Sequence, residues 1–247
     1  MAEDYQNMPL VGHLRELRRR FMIALLAVGV AFLLTYTWSA ELYSFLAKPL
    51  LSNLPNEHRF ITFTGVGEPF FVYLKIAFGA AVMISSPVVL YQMWAFVAPG
   101  LYRDEKLWFG ALVAFSLALF SAGSVFAYKV IFPFGFKYLL SFSTPELVPF
   151  ISMDLYLSLA AKTIIAFGAA FELPLLMLVL ARLGVVDARM LLYYWRYAVI
   201  GIFVVGAIFT PPDVFSQLLL SVPLLILYAM GVILALIFGK KKKAEGA

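Results

Sequence analysis

Six stretches of mostly apolar residues, each about as long as a membrane-spanning helix, occupy most of this 247-residue chain. They cover residues 21–38, 70–92, 107–128, 155–180, 193–209 and 214–238. Roughly 20 apolar residues in a helix cross the hydrocarbon core, and in lipid a helix satisfies its own backbone groups. The pattern therefore predicts an all-α integral membrane protein, with six transmembrane helices in a single membrane domain over residues 1–247.

The composition agrees with this fold class. Hydrophobic residues make up 63% of the chain and charged residues 13%, and the mean hydropathy of +0.92 is too high for a water-soluble domain. The first apolar stretch is not followed by a small-residue cleavage pattern, so we expect it to remain in the mature protein. The chain has no cysteine, which excludes disulfides and thiolate chemistry. We expect no cofactor and no metal site.

The basic residues predict the orientation in the membrane. One set of connections carries Arg15, Arg18, Arg19, Arg20, Arg103, Lys106, Arg182, Arg189, Arg196 and Lys240 to Lys243. The opposite set holds Lys48, Arg59, Lys129 and Lys137. By the positive-inside rule both termini, including the tail 239–247, lie in the cytoplasm. The net charge of +5 is explained by this topology, so we expect no nucleic-acid partner.

The connections and prolines predict an uneven bundle. The outward loops 39–69 and 129–154 are long and rich in aromatic, Pro and Ser residues, and we expect short capping helices in both. Pro87 and Pro174 each remove a backbone hydrogen bond inside an apolar stretch and should kink spans two and four. Kinked spans of unequal length favour a concave face on the bundle.

Several polar residues interrupt the apolar stretches. Glu172 is costly at that depth, about 2.5 kcal/mol or more, so it is either a functional group or a neutral acid bonded to a neighbouring helix. Gln217 should face protein or water, and Asp213 follows a Pro-Pro pair as an N-cap. Lys75 and Lys162 lie within reach of the outer interface by snorkelling.

The stretch HLRELRRR places Glu16 among four arginines just before the first span. An i,i+4 ion pair with Arg20 would explain it as an ordinary surface charge. The loop FVAPGLYRDEK, however, holds Asp104 and Glu105 in a second basic segment, and acids contribute little to membrane orientation. Two separated carboxylates could instead receive two guanidinium groups from another chain. Both explanations of Glu16 remain open at this point.

Four motifs, in order along the chain, resemble those of one family. They are HLRELRRR before span one, PVVLYQMWAFVAPGLYRDEK after span two, FGAAFELPLL in span four, and IFTPPDVFSQLLLSVPLLILYAMGV across the last turn and span six. These stretches look like TatC, the multispanning receptor subunit of the twin-arginine protein export system. The resemblance extends from about His13 to Phe238.

The resemblance implies a signal-peptide site. Glu16 and Glu105 match the two glutamates that contact the twin-arginine signal peptide in this family. Further matching positions of that site are Arg18, Phe96, Leu101 and Tyr102.

The resemblance also implies positions that act in transport. Pro49 matches a proline of the first outward loop that transport requires, and Asp213 matches the acid of TPPD. Glu172 and Gln217 match polar positions implicated in contacts with the single-span partners TatA and TatB.

These features lead to one functional hypothesis and one alternative. The resemblance implies Sec-independent export of folded proteins that carry twin-arginine signals, with TatA and TatB partners, self-association, and the proton gradient as the energy source. The alternative is a proton-coupled small-solute transporter using Glu172, although the chain lacks the repeat typical of many such carriers. We do not expect an enzyme, since neither His-Glu-x-x-His nor Gly-x-Ser-x-Gly occurs.

Overall fold

The computed structural model describes residues 10–54, 60–97, 106–144, 149–210 and 213–239. These residues form α-helices joined by short turns, with one π-helical turn and one isolated β-bridge. The helices are α1 Leu10–Thr37, α2 Ser39–Leu51, α3 Glu68–Val97, α4 Lys106–Phe126, α5 Phe132–Leu140, α6 Met153–Phe171, α7 Leu173–Leu183, α8 Ala188–Tyr193, α9 Trp195–Phe209 and α10 Val214–Phe238. The all-α prediction is confirmed.

Five helical segments are long and apolar enough to cross a membrane. They are Leu14–Thr37, Glu68–Val97, Phe109–Leu140, Met153–Leu183 and Val214–Phe238. The remaining predicted span corresponds to α9, an apolar helix of 15 residues. At 1.5 Å per residue it is about 22 Å long, less than the roughly 30 Å of hydrocarbon.

Two of the long segments are composite. α4 continues through the π-helical turn Ala127–Ile131 directly into α5, so the third apolar segment extends beyond its predicted end at residue 128. The fourth is interrupted at Glu172, which lies between α6 and α7, and Pro174 occupies the first turn of α7. The predicted irregularity at Pro174 is therefore present. In contrast, α3 continues through Pro87 to Val97.

Glycines let α4 and α6 approach closely. A Cβ added to Gly123 would lie 2.4 Å from the backbone oxygen of Phe167, and one added to Gly168 would lie 2.8 Å from Ser124 Oγ. Phe167 itself is buried. Because the two helices run in opposite directions, these contacts fix their relative heights.

We call the side of the bundle that holds the start of α1 the N-terminal side, and the opposite side the distal side. On the distal side, α2 packs over the bundle with Pro49 buried inside it, and α5 forms a second short helix. The short helices expected in the two long loops are therefore present.

The carboxylate of Glu68 joins the two distal loops. Its Oε2 accepts hydrogen bonds from the backbone N–H of Thr64 at 2.6 Å and from the Thr64 hydroxyl at 2.9 Å. Its Oε1 accepts from the Ser152 hydroxyl and the Asp154 N–H, both at 2.9 Å. The bridge between Thr62 and Ser152 lies beside it. This acid was not singled out in the sequence.

Candidate functional site

Glu16 lies on the N-terminal side, where α1 packs against α3. Its Oε1 accepts two hydrogen bonds from Arg20, from Nε at 2.9 Å and from Nη2 at 2.6 Å. Arg20 Nη1 also donates to Gln92 Oε1 at 3.3 Å. The side chains of Glu16 and Arg20 are 23% and 24% exposed, so the pair is neither buried nor free in solvent. The i,i+4 ion pair that the sequence offered is formed.

A shallow pocket opens at this pair. Its volume is about 260 Å³, and Glu16, Arg19, Arg20, Ile23 and Gln92 line it. Among the described residues, both hydrogen bonds to the carboxylate end on Oε1, and no described residue bonds Oε2. The pocket therefore presents one carboxylate oxygen that can accept a further N–H donor.

The other predicted signal-binding positions are described only in part. Arg18 is exposed on α1, and Phe96 is half-buried near the end of α3. Leu101, Tyr102 and Glu105 lie outside the described residues. In the sequence, the segment that carries them connects Val97, the last residue of α3, with Lys106, the first residue of α4.

Glu172 is part of a buried polar chain that joins three helical segments. Trp94 Nε1–H donates to Ser116 Oγ at 2.8 Å, and the Ser116 hydroxyl donates to Glu172 Oε2 at 2.7 Å. Trp94 and Ser116 are fully buried and Glu172 is 7% exposed. Oε1 of Glu172 has no partner among the described residues. The bond to a neighbouring helix, one of the two interpretations of Glu172, is therefore present.

Asp213 and Gln217 lie at the distal start of α10. Asp213 Oδ1 accepts from the Ser216 N–H at 2.7 Å, which confirms the predicted N-cap. Gln217 Nε2 donates to the backbone oxygen of Phe203 at 3.1 Å and so ties α10 to α9. Gly206 permits this approach, because a Cβ there would lie 2.8 Å from Ser221 Oγ.

A mostly apolar depression of about 660 Å³ lies along the side of the bundle between α1, α3 and α6, and we call it the lateral groove. Its charged lining residues are Lys75 and Lys162. A second apolar cavity, about 470 Å³, lies between α2, α3, α4 and α6, and its charged lining residue is Lys129. Gly79 and Ala161 line both cavities and pack together between them, since a Cβ added to Gly79 would lie 3.5 Å from the Ala161 Cβ.

Sequence reasoning missed three members of these clusters. They are Gln92, which accepts a hydrogen bond from Arg20, and Ser116, which donates to Glu172. The third is Trp94, which donates to Ser116. A serine alone within ALVAFSLALF and a glutamine near the end of an apolar span are signals of their own, because a polar group in lipid needs a partner. Which partner each would find depends on helix packing.

Comparison with known proteins decides the family. The model for the Sec-independent protein translocase protein (TatC) matches residues 12–223. The chain belongs to the TatC family. The TatC protein of Desulforapulum autotrophicum is 40% identical over 245 residues, covering 99% of this chain and 90% of that protein. TatC of Escherichia coli strain K12 is 39% identical over 247 residues, covering 99% of this chain and 94% of that protein.

The fold agrees with the family. A crystal structure of the twin-arginine translocase receptor TatC superposes with a TM-score of 0.84 at 36% identity, covering 91% of this chain and 98% of that one. The chain is therefore a multi-pass membrane component of Tat protein translocation. TatC is a family of translocase components, which disfavours both the small-solute carrier and an enzyme.

Proposed function

We propose that this TatC chain is the receptor that binds twin-arginine signal peptides of folded cargo and assembles the translocation site with TatA-type and TatB-type partners. In this proposal the six apolar segments, including the short α9, cross the inner membrane, with both termini in the cytoplasm. The transmembrane proton gradient drives transport, as the resemblance to the family implies.

The observation that carries the proposal is the pocket at Glu16. A carboxylate that already holds the guanidinium of Arg20 has the chemistry to hold an arginine from a signal peptide. The incoming arginine can bond the open Oε2, or it can displace Arg20 from Oε1. Arg20 would keep a partner after displacement, since its Nη1 bonds Gln92.

A second arginine needs a second acid. Glu105 precedes the first residue of α4 in the sequence, and we assign it to the second arginine together with Phe96, Leu101 and Tyr102. Arg18 is exposed on the same helix as Glu16, and we place it among the residues that border the signal. The apolar stretch of the signal would then lie along the lateral groove, whose lining is mostly apolar.

The partner helices have a candidate surface along α9. A groove of about 510 Å³ lies between α6, α9 and α10, and small residues including Ala166, Ala170, Ala198 and Gly201 line it. Small residues permit close approach of helices in lipid. Gly206, another small residue of α9, instead packs against α10 of this chain.

We assign Glu172, Gln217, Asp213 and Pro49 to assembly and transport. Glu172 has one buried carboxylate oxygen without a partner among the described residues. This oxygen could accept a hydrogen bond from a partner helix that binds during assembly. Gln217 bonds the backbone of α9 and thereby couples the partner surface to α10. Asp213 caps α10, and Pro49 is buried in α2. Self-association of the receptor belongs to the same proposal.

The test is binding of a fluorescent twin-arginine signal peptide to the detergent-purified protein. The variants are Glu16→Ala, Glu105→Ala and the double change, each measured also with a twin-lysine peptide. Glu41→Ala is the matched control, because Glu41 is an exposed acid on α2 at the distal side. Loss of a paired guanidinium contact costs about 1.5 to 3 kcal/mol, roughly ten- to hundredfold in affinity.

The proposal predicts this loss for each acid, little recovery with lysine, and wild-type binding for Glu41→Ala. Equal binding by all variants, without preference for arginine over lysine, would contradict it. In that case Glu16 would be only the local partner of Arg20.

A further inference from the structure

Pro49 lies inside α2, the short helix that packs over the bundle on the distal side. Proline has no backbone N–H, so the helical hydrogen bond from residue 49 to the carbonyl of Phe45, four residues earlier, cannot form. The proline ring also crowds that carbonyl and turns it away from the regular helical direction. The Phe45 carbonyl oxygen therefore needs a donor from outside α2.

Tyr128 supplies that donor. Its hydroxyl donates to the Phe45 carbonyl oxygen at 2.8 Å. The two side chains also stack, with ring centroids 4.6 Å apart and ring planes 7° from parallel. The hydrogen bond and the ring contact thus join the same two residues, which are 83 positions apart in sequence. Together they tie α2 to the third apolar segment.

The π-helical turn between α4 and α5 carries Tyr128. Tyr128 is the second residue of the turn Ala127–Ile131. Its neighbour Ala127 is fully buried, whereas Tyr128 is half-buried and reaches α2. Single π-helical turns within helical segments are uncommon and occur frequently at functional sites. The turn therefore has a local task, which is to place this hydroxyl at α2.

A second tyrosine holds the next carbonyl of α2 in a different way. The hydroxyl of Tyr156, a buried residue of α6, donates to the Leu46 carbonyl oxygen at 2.7 Å. In a regular helix the donor to Leu46 is the N–H of Leu50, which proline does not remove. Tyr156 therefore docks α2 without depending on Pro49, whereas the bond from Tyr128 uses the carbonyl that Pro49 leaves open.

The contact between Tyr128 and α2 borders the second apolar cavity. Phe45 and Leu46 of α2 line this cavity together with Tyr128. The position of α2 therefore determines the shape of the cavity where α2 borders it.

We propose that Tyr128 is a positioning residue for transport, which holds α2 beside the second apolar cavity at the carbonyl that Pro49 frees. Pro49 then acts through Tyr128. Any residue with an N–H at position 49 could close the helical bond to Phe45 and release the tyrosine hydroxyl. The consequence for transport rests on the transport role proposed for Pro49, whereas the coupling between Tyr128 and Pro49 does not.

The experiment is a double-mutant cycle on the full chain, with Tyr128→Phe, Pro49→Ala and the double change. Tyr156→Phe, combined with Pro49→Ala in the same way, is the matched control, because its bond ends on a carbonyl that Pro49 does not free. Tyr138→Phe removes a hydroxyl that bonds no described residue and keeps a ring that stacks on Phe215. Thermal unfolding in detergent measures stability, and export of a twin-arginine cargo in cells without their own TatC measures transport.

We expect Tyr128→Phe to lower the thermal midpoint by about 3 °C when Pro49 is present. In the Pro49→Ala background the same change should lower it by less than about 1 °C, because the Phe45 carbonyl then has a helical donor. Tyr156→Phe should lower the midpoint equally in both backgrounds, and Tyr138→Phe should leave it unchanged. Tyr128→Phe and Pro49→Ala should reduce export to a similar extent, and the double change should reduce it no further.

Equal losses of midpoint for Tyr128→Phe in both backgrounds would overturn the coupling. Wild-type export by Tyr128→Phe, when Pro49→Ala blocks export, would overturn the claim that Pro49 acts through Tyr128. Wild-type export by Pro49→Ala would contradict the transport role proposed for Pro49 itself, and the thermal midpoints would then decide the coupling alone.

Discussion

Arg20 Nη2 lies 2.6 Å from Oε1 of Glu16, so the acid that we assign to an incoming arginine is already paired with an arginine of its own helix. A pair that is about one-quarter exposed is worth at most about 1 kcal/mol, less than a paired guanidinium contact in a formed complex. The internal pair can therefore hold the Glu16 side chain in position, yet yield to a ligand.

If Arg20 competes with the signal for Oε1, Arg20→Gln should strengthen signal binding. Removing a competitor worth about 0.5 to 1 kcal/mol raises the affinity roughly two- to fivefold. Arg15→Gln is the control, since Arg15 is exposed on the same helix and makes no bond to a described residue. Weaker binding by Arg20→Gln would instead identify Arg20 as a residue that positions Glu16.

Ser116→Ala should destabilise the bundle, because the serine hydroxyl links Trp94 to Glu172. Its removal leaves the indole N–H and the carboxyl buried without this partner, at a cost of about 1 to 2 kcal/mol, which lowers the thermal midpoint by roughly 3 to 6 °C. The measurement is thermal unfolding in detergent. Ser121→Ala on the same helix, at an exposed position, should leave the midpoint unchanged. Equal thermal midpoints for Ser116→Ala and Ser121→Ala would show that the hydrogen bonds linking Trp94, Ser116 and Glu172 do not contribute to stability.

Glu68→Ala should loosen the distal cap without disturbing the N-terminal side. The change removes the acceptor for bonds from Thr64, Ser152 and Asp154, which hold the two distal loops together. Hydrogen exchange should then accelerate at the amides of Thr62 and Met153, which form the bridge beside it. Unchanged exchange at both amides would contradict this role, and Glu41→Ala supplies the control.

Gly201→Leu should weaken contact with a partner helix and leave the chain itself folded. A Cβ at Gly201 meets nothing within 4 Å in this chain, yet the residue lines the groove assigned to TatA-type and TatB-type helices. Filling that groove should lower partner crosslinking about threefold, the scale of a typical interhelical contact in lipid. Ala207→Leu, exposed on α9 and not part of the groove lining, is the control. Equal crosslinking by both variants would place the partner elsewhere.

The long helices were predictable from the sequence because a run of about 20 apolar residues is enough to predict a membrane-spanning helix. The start of α10 at Val214 after Asp213 and the interruption before Pro174 follow from local chemistry, a capping acid and a missing N–H. The continuation of α4 through a π-helical turn into α5 was not predictable in the same way. Lys129 lies inside that turn, and its charge had suggested that a loop begins there. The backbone at Lys129 is nevertheless helical, because a long lysine side chain can carry its charge to the interface from within a helix.

The site was predictable as single residues and not as pairs. The i,i+4 spacing gave Arg20 as a possible partner of Glu16, because that contact lies within one helix. Glu172 and its partner Ser116 are 56 residues apart in sequence, and Arg20 and its partner Gln92 are 72 residues apart. Both contacts join different helices. Such pairs depend on how the helices rotate and slide when they pack, which residue types alone do not determine. Gly206 illustrates the same limit, since a small residue fits a partner protein or a helix of its own chain equally well.

The central claim is that Glu16 contacts an arginine of the signal directly, and a double-mutant cycle tests it most closely. Signal affinity is measured for wild type and Glu16→Gln, each with the twin-arginine peptide and with peptides in which one arginine or the other is replaced by glutamine. The account predicts that for one of the two arginines the paired changes cost less than the sum of the single changes, by about 1.5 kcal/mol or more. Costs that add within about 0.5 kcal/mol for both arginines would contradict direct contact at Glu16.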